Sequence, residues 1–298
     1  MRTCVLCNPR ANNGKGDQAK EAVRAALAGK DLEFINVVGL DYKALLAELT
    51  EEDEIILVGG DGTLNFFVNA IGDEPLRPSV YTFPAGSGND FAKDLGIEPG
   101  TLSERINVYL ENLPTVTVNG ETQRFLNGIG YGIDGYCCEV GDQLRETSEK
   151  PVNYAGIAIK GLLFHYKPTL ASVTVDGKAF SYPKTWLAPS MNGRYYGGGM
   201  EVAPRQDRLN PERKLSLVIM HGSGKLKTLM VFPSIFKGEH VKHEEMVAVH
   251  EGREIRVAFD RPVALQIDGE TRLNVTEYTV RAAAVCAREE AKAAPQTV

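Results

Sequence analysis

The sequence has few cysteines, and their number is odd. The five are Cys4, Cys7, Cys137, Cys138 and Cys286. A chain of 298 residues can bury a large core and needs no disulfide staples. Cys4 and Cys7 have the spacing of half a zinc motif or of a redox motif, but they lie in an apolar run that predicts a strand, where their side chains point to opposite faces. We therefore expect buried thiols.

Long apolar runs and an excess of positive charge are also missing. No stretch approaches the about 18 apolar residues that suggest a membrane span, and the run 3–7 is too short for a signal peptide. The 33 basic and 39 acidic side chains give a formal net charge of −6, which argues against a general nucleic-acid binder. These absences predict a soluble, cytoplasmic protein that contacts membranes peripherally if at all.

Glycine is abundant and two patterns of apolar residues follow each other along the chain. The 30 glycines exceed the usual share of about 7% and should occupy loops where the backbone approaches a ligand. Apolar runs at 3–7, 32–38, 54–58 and 80–83 predict strands, and they alternate with helical patterns at 18–27, 42–49, 63–71 and 89–95. This alternation predicts a parallel sheet covered by helices.

After about residue 120 the pattern changes to short strands separated by turns, one of them predicted at 123–130, with helices predicted at 153–163 and 225–236. This part favours a mainly antiparallel β-sandwich. We therefore expect an N-terminal parallel-sheet α/β nucleotide domain at 1–119, a C-terminal β-rich domain at 120–287 and a tail at 288–298.

Three glycine-containing loops follow predicted parallel strands, at residues 8–16, 59–65 and 84–90. The carboxyl ends of parallel strands share one edge of a sheet, so we expect the loops to meet there around a nucleotide. The second loop runs from a strand through three glycines into a helix, and its free backbone amides suit phosphates. Asp61 would repel phosphate unless a cation binds, which indicates Mg²⁺. The alternative is a tight turn with Asp61 as a helix cap.

Other nucleotide motifs are incomplete. Gly14-Lys15 is followed by Gly16, so there is no Walker A motif. Residues 130–135 match the dinucleotide fingerprint, but they lie outside the parallel region and the residues after them show no clear helical pattern. We interpret this match as chance, because the motif needs a strand before it and a helix after it.

Six segments, in order along the chain, resemble the diacylglycerol kinase catalytic-domain family, which includes sphingosine kinases, ceramide kinases and soluble bacterial lipid kinases. They are Asn8-Pro9 with its glycine tail, 59–65 (GGDGTLN), 84–92 (PAGSGNDFA), 127–134 (NGIGYGID), Asn192-Gly193 with 197–200 (GGGM), and 268–270 (DGE). The resemblance spans most of the chain. It implies an α/β nucleotide domain followed by a β-rich domain, as the patterns predict.

The resemblance implies that the γ-phosphoryl group of ATP is transferred, with Mg²⁺, to the hydroxyl of diacylglycerol or a related lipid. The implied nucleotide-binding residues are Asn8, Pro9, Arg10, Ala11, Asn12, Gly59, Gly60, Asp61, Gly62, Thr63, Leu64, Asn65, Gly86 and Ser87. Asp61 is implied in catalysis and as a metal ligand. We place the proton acceptor on Glu270, with Asp268 as the contender, although Asp268-Gly269 alone predicts only a hairpin turn.

Two places depart from the family pattern. Soluble bacterial members usually carry an Asp-Gly pair and another acid for a structural Mg²⁺ near residues 207–216, where this sequence has Glu212-Arg213 and Ser216. Glu212 is a candidate ligand, and otherwise the site is absent or replaced by an arginine or lysine. Phe66 follows Asn65 where many members have glutamate.

A lipid substrate implies transient contact with a membrane surface. A basic face could be formed by Lys225, Lys227, Lys237, His240, Lys242 and His243, and apolar contact could come from Phe164, His165, Tyr166, Phe232 and Phe236. The alternative is a solvated helix face above core aromatics. The sequence leaves open whether the protein forms a homodimer. Two other functions stay open as well: a kinase for NAD or another small molecule, and a nucleotide-binding regulator whose catalysis has lapsed.

Overall fold

The computed structural model describes residues 1–8, 16–86, 88–147, 152 and 154–285. The chain divides into two compact units, 1–113 and 114–298. Strand β5, Thr115–Val118, precedes the predicted boundary at 119/120 and is hydrogen-bonded into the sheet of the second unit.

The first unit is a parallel four-stranded sheet with helices between its strands. Its elements are β1 Thr3–Cys7, α1 Gly16–Ala26, β2 Leu32–Asn36, α2 Tyr42–Glu48, β3 Glu54–Gly59, α3 Asp61–Ile71, β4 Ser79–Pro84, α4 Asp90–Asp94 and α5 Asn107–Leu110. The strand order is β2-β1-β3-β4. The central strands β1 and β3 are almost wholly buried, as expected for strands covered on both faces. The predicted strands and helices of this half are confirmed within two residues at each end.

The cysteines of β1 are buried, as predicted. Cys7 packs in an apolar cluster with Val58 and Phe83, and Cys4 lies with its Sγ 3.8 Å from an oxygen of Glu33. Their burial supports the interpretation of these thiols as small core side chains. Cys286 lies outside the described residues.

The second unit is built on a large antiparallel sheet. The strands of this unit are β5, β6 Glu121–Arg124, β7 Gly128–Tyr131, β8 Thr169–Val175, β9 Lys178–Thr185, β10 Ser190–Met191, β11 Tyr195–Tyr196, β12 Met200–Glu201, β13 Leu215–Met220, β14 Val247–Gly252, β15 Glu254–Ile267 and β16 Glu270–Arg281. Strands β11 and β12 form a separate two-stranded sheet. The helical segments of the unit are α6 Ile133–Thr147, α7 Tyr154–Lys160, a π-helical turn Gly161–His165, α8 Lys225–Val231, and the 3₁₀ turns Phe232–Lys237 and Glu239–Lys242. Among the described residues, no helix is long and apolar enough to cross a membrane.

Strand β15 changes partner along its length and so curves the sheet. Its first half pairs with β8 and its last residues pair with β7, while β16 runs along its other side. The register of β15 with β16 shifts between Ala258 and Leu265, where the partner changes, and such bulges bend a strand. Tyr131, Phe259 and Tyr278 pack together in the core that the curved sheet surrounds. The predicted α/β plus antiparallel β-sandwich class is confirmed.

Two predictions for the second unit are wrong. The strand predicted at 123–130 is divided into β6 and β7, because the amides of Leu126 and Asn127 bond to Asp268 rather than to a neighbouring strand. The residues after 135 are helical as well, because they belong to the 15-residue helix α6, which begins at Ile133. Its helical pattern is weak because glycine lowers helix propensity. Here, a Cβ on Gly135 would overlap the carbonyl oxygen of Ala264, so close packing on β15 requires the glycine.

Candidate active site

The loops after β3 and β4 lie in close backbone contact at the carboxyl edge of the parallel sheet. The amide of Asp61 donates to the carbonyl oxygen of Gly88 at 3.2 Å. A Cβ on Gly60 would overlap that same carbonyl oxygen, and a Cβ on Gly86 would lie 2.5 Å from the Cα of Gly60. Only residues without side chains allow this approach, so the glycines join two of the three predicted loops.

The carboxylate of Asp61 joins the same two loops. Its Oδ2 accepts a hydrogen bond from the amide of Asp90 and its Oδ1 accepts one from the amide of Phe91, each at 2.9 Å. These amides begin α4, where a negative charge is favourable. Asp61 does not cap its own helix, whose N-cap is Gly60. Nine-tenths of Asp61 is buried, so it acts as a clamp between the loops.

Two side-chain oxygens line this pair of loops. A Cβ on Gly88 would lie 3.3 Å from Oδ2 of Asp61, and a Cβ on Gly60 would lie 3.4 Å from Oδ1 of Asn89. Asn89 donates from Nδ2 to the carbonyl of Gly86 at 2.9 Å, but its buried Oδ1 has no hydrogen-bond partner among the described residues. A buried oxygen without a donor suits a bound cation or a ligand donor group.

The other predicted nucleotide residues are placed as follows. Gly62, Thr63 and Leu64 lie in the first turn of α3, and the side chain of Thr63 occupies the space that a Cβ on Gly59 would need. Asn8 follows β1 directly. Pro9, Arg10, Ala11, Asn12 and Ser87 lie outside the described residues. Their role in nucleotide binding stays a prediction.

Asn65 and Phe66 lie on different faces of α3. Asn65 is buried and its carbonyl accepts a hydrogen bond from Nδ2 of Asn69 at 3.0 Å. Phe66 is 59% exposed, with its ring centroid 5.8 Å from that of Tyr42. The departure from the family pattern at Phe66 therefore adds apolar surface on the exposed face of the helix.

In the second unit, Asp268 and Gly269 form the two-residue turn between β15 and β16. Their φ angles are 47° and 93°, and Ile267 pairs with Glu270 across the turn. Two successive positive φ angles match the type I′ hairpin, so the expected turn is present.

The side chain of Asp268 is committed to the segment before β7. Its carboxylate accepts hydrogen bonds from the amides of Leu126 at 2.5 Å, Asn127 at 2.8 Å and Gly128 at 3.0 Å. Asp268 is buried, whereas Glu270 is exposed at the start of β16. A general base must come within hydrogen-bond reach of the hydroxyl of a second molecule, and Glu270 is the accessible carboxylate of the two.

Arg208 holds the same segment from the other direction, and sequence reasoning did not name it. Its buried guanidinium donates to the carbonyl oxygen of Leu126 at 2.6 Å and to Oδ1 of Asn127 at 2.5 Å. Asn192 also donates to the carbonyl of Leu126, at 2.8 Å. The one signal in the sequence is the departure at 207–216, which suggested an arginine or lysine in place of a cation.

The loop that contains Arg208 is held by further hydrogen bonds. Ser216 donates to Oε1 of Gln206 at 2.6 Å, and Nε2 of Gln206 donates to the carbonyl of Lys214 at 3.0 Å. Glu212 lies at the surface, 2.5 Å from Nζ of Lys214. No group of three or more His, Cys, Asp or Glu side chains in the described part of the chain is arranged to hold a metal. Glu212 as a metal ligand stays a prediction.

The predicted basic and aromatic membrane face is only partly at the surface. His240, Tyr166 and Phe232 are buried, so their prediction as surface residues is wrong. His240 bonds through Nε2 to the carbonyl of Val202 at 3.0 Å, and burial lowers the pKa of its imidazole to about 4. It supplies no positive charge near neutral pH. Phe164, in contrast, is 73% exposed.

Two family models match consecutive parts of the chain. The diacylglycerol kinase catalytic domain matches residues 2–118. The YegS C-terminal NAD kinase beta sandwich-like domain matches residues 127–286, and this second match alone covers more than half of the chain. The chain belongs to the diacylglycerol kinase catalytic-domain family. It is therefore a member of a family of lipid kinases, which are phosphotransferases, and the predicted family is confirmed.

Individual relatives agree with the family models. A diacylglycerol kinase of Mycobacterium tuberculosis is 24% identical over 258 residues, covering 82% of this chain and 81% of the relative. A diacylglycerol kinase of Bacillus subtilis is 28% identical over 236 residues, covering 77% and 75%. The crystal structure of a diacylglycerol kinase from Bacillus anthracis superposes with a TM-score of 0.61 at 19% identity, covering 95% of this chain and 94% of that one, which shows a shared fold.

Proposed function

We propose that this family member transfers the γ-phosphoryl group of ATP to a hydroxyl of diacylglycerol or a related lipid, giving a phosphatidic-acid-type product. The observation that carries the proposal is the backbone contact of Gly60 with Gly86 and Gly88, clamped by Asp61. A glycine-lined edge at the start of α3 leaves room for phosphates beside backbone amides. ATP is a cytoplasmic substrate and the acceptor lies in a membrane, so the proposed place of action is the cytoplasmic membrane surface.

In this proposal the phosphates bind along the loop at 59–65, with Gly86 and Ser87 on the second loop and residues 8–12 beside the nucleotide. The glycines keep side chains away from this edge. The first turn of α3 adds positive potential from its backbone amides. Binding and orientation of the phosphates account for much of the rate acceleration in enzymatic phosphoryl transfer.

The residues present fit Mg²⁺ bound together with the nucleotide. Asp61 supplies a carboxylate, and Asn89 supplies a buried oxygen that has no donor in the described part of the chain. Protein sites for Mg²⁺ commonly combine one or two carboxylates with substrate phosphates. When bound, the ion neutralises charge on the transferred group.

We propose Glu270 as the general base. Its carboxylate accepts the proton of the lipid hydroxyl while that oxygen forms a bond to the γ-phosphorus, and the bond to the β-phosphate oxygen breaks to release ADP. Asp268 and Arg208 are positioning residues in this proposal. Both form hydrogen bonds to the segment 126–128, and Asp268 also forms the turn that directly precedes Glu270. Neither carboxylate oxygen of Asp268 is needed for chemistry in this arrangement.

Radiolabelled ATP tests the proposal against its rivals. The full chain is incubated with Mg²⁺ and, in separate reactions, with diacylglycerol, sphingosine, ceramide or NAD in detergent micelles. We expect label on diacylglycerol or another lipid. Label on NAD alone would replace the proposal with the small-molecule kinase, and ATP binding without transfer to any acceptor would favour a lapsed enzyme.

A further inference from the structure

Three large apolar side chains are exposed on two helical segments of the second unit. Phe164 is 73% exposed in the π-helical turn, and Leu226 and Met230 are 72% and 75% exposed on α8. Leu226 and Met230 are four residues apart, so they lie on one face of the helix. Ile159 on α7, just before the π-helical turn, is 45% exposed. Together these four side chains form the apolar patch.

The two segments that carry the apolar patch are neighbours. Helix α8 contacts the π-helical turn, and Nζ of Lys225 donates to the carbonyl of Leu163 at 2.9 Å. The patch therefore combines side chains from parts of the chain more than 60 residues apart, an arrangement that the tertiary fold creates.

The exposure of these side chains is not a sign of loose packing. On the same segments, Leu162 is fully buried, and Thr228 and Val231 are buried against the core. Gly161 packs so closely that a Cβ there would lie 2.7 Å from the ring of Tyr136. Both segments are thus anchored by their inner faces, and their outer faces are left to contact something else.

Positive charge accompanies the patch. Residues 154–165 and 225–237 contain Lys160, Lys225, Lys227 and Lys237 and no aspartate or glutamate, in a chain with a net charge of −6. Glu245 pairs with Lys227 at 2.8 Å and offsets part of that charge. Apolar side chains among lysines match a surface whose interior is apolar and whose outer layer is anionic.

We propose that the apolar patch is the surface by which the protein docks on an anionic lipid bilayer. Phe164, Leu226 and Met230 enter the boundary between headgroups and acyl chains, and the lysines remain at the headgroups. This proposal rests on the proposed function for its purpose, since a lipid kinase collects its acceptor from a bilayer. A second copy of the chain fits less well, because two lysine-bearing faces would repel each other.

Vesicle co-sedimentation of the full chain tests the docking proposal without ATP. The parent is expected to bind vesicles of phosphatidylcholine with phosphatidylglycerol more tightly than vesicles of phosphatidylcholine alone. The double variant Leu226→Gln/Met230→Gln should lose at least about tenfold in partitioning. Lys160→Gln/Lys237→Gln should lose up to about thirtyfold on anionic vesicles. The matched control is Leu273→Gln, at a 53% exposed leucine on β16, which should bind as the parent does.

Phosphorylation of a dispersed short-chain diacylglycerol separates this proposal from the proposed function. The patch variants should phosphorylate the dispersed lipid at the parental rate and lose activity only on vesicles. If the parent phosphorylates no lipid but the patch variants still lose vesicle binding, the proposed function fails and the docking surface stands. Parental vesicle binding by Leu226→Gln/Met230→Gln would overturn the docking surface. The docking surface would also be overturned if the parent is a dimer in solution and this variant is a monomer that binds vesicles as the parent does.

Discussion

At the scale of single residues, Asp61 and Asp268 use their carboxylates in the same way. Each accepts backbone amides from a neighbouring segment: Asp61 from the start of α4, and Asp268 from residues 126–128. Each buried carboxylate therefore fixes the backbone on which the proposed substrates would lie. Glu270, two residues beyond Asp268, is exposed and available to a substrate.

The change Asp61→Asn tests the clamp between the loops. An asparagine side chain has one acceptor oxygen and would direct its amide group at the second backbone donor. We expect the free energy of unfolding to fall by about 1–3 kcal/mol, measured by denaturant titration, and turnover to fall to a residual level. If Asp61 also binds Mg²⁺, the Mg²⁺ concentration for half-maximal residual activity rises. An unchanged free energy of unfolding would show that Asp61 does not clamp the two loops together.

The pair Glu270→Gln and Asp268→Asn tests the proposed base. Glu270→Gln should lower kcat by about 10²–10⁴-fold with ATP affinity and stability unchanged, because its side chain is exposed. Asp268→Asn should lower the free energy of unfolding, because one of its oxygens becomes an amide donor facing backbone donors. Steady-state kinetics and denaturant titration of both variants check this. Loss of turnover in Asp268→Asn, with the free energy of unfolding of the parent, would assign the general base to Asp268 instead of Glu270.

At the scale of elements, the sequence patterns predicted the first unit better than the second. Runs such as 54–58 are buried strands followed directly by glycine, and their neighbours in the sheet are close in the chain. In the second unit, Gly135 weakens the local helical pattern, so the sequence did not indicate α6. Strand β15 continues through a bulge that no local pattern indicates. The burial of Asp268 depends on amides about 140 residues away. The role of Arg208 depends on the same segment, so neither could be predicted from spacing.

The contact between the two glycine loops gives a prediction at this scale. Gly60→Ala places a Cβ against the carbonyl oxygen of Gly88, so the loops must separate. We expect the free energy of unfolding to fall by about 1–3 kcal/mol and ATP affinity, measured by calorimetry, to fall with it.

The matched control for the stability effect is Gly62→Ala, two residues away. A Cβ on Gly62 would meet no atom within 4 Å, and alanine favours a helix by about 0.5–1 kcal/mol over glycine. Its stability should therefore equal or exceed that of the parent. Equal stability of both alanine variants would contradict the close approach of the loops.

At the scale of the whole molecule, the second unit carries an ionisable group in its core. Burial raises the pKa of Asp134 to about 6, although the hydroxyl of Tyr196 donates to its Oδ2 at 2.6 Å. The unfolded chain ionises this carboxyl at its ordinary pKa of 3.8. Between these two values the unfolded state releases the proton first, so a rise in pH destabilises the fold; above about 6 the loss is complete.

The change Asp134→Asn should remove that pH dependence. Relative to the parent, the variant should gain up to about 3 kcal/mol in the free energy of unfolding between pH 4 and pH 7. The measurement is denaturant titration of both proteins at a series of pH values. Comparison with the parent cancels the contribution of other groups, such as the buried His240. A difference that does not vary with pH would contradict the raised pKa.

The identity of the phosphorylated product tests the central proposal most directly. ATP labelled with ¹⁸O in its γ-phosphoryl group is incubated with the full chain, Mg²⁺, a short-chain diacylglycerol and NAD, and the lipid and water-soluble fractions are analysed by mass spectrometry. We predict a phosphatidic acid that carries the label in the parental reaction and falls by at least about a hundredfold with Glu270→Gln. Label found only in inorganic phosphate or in NADP, with none in any lipid, would contradict the account.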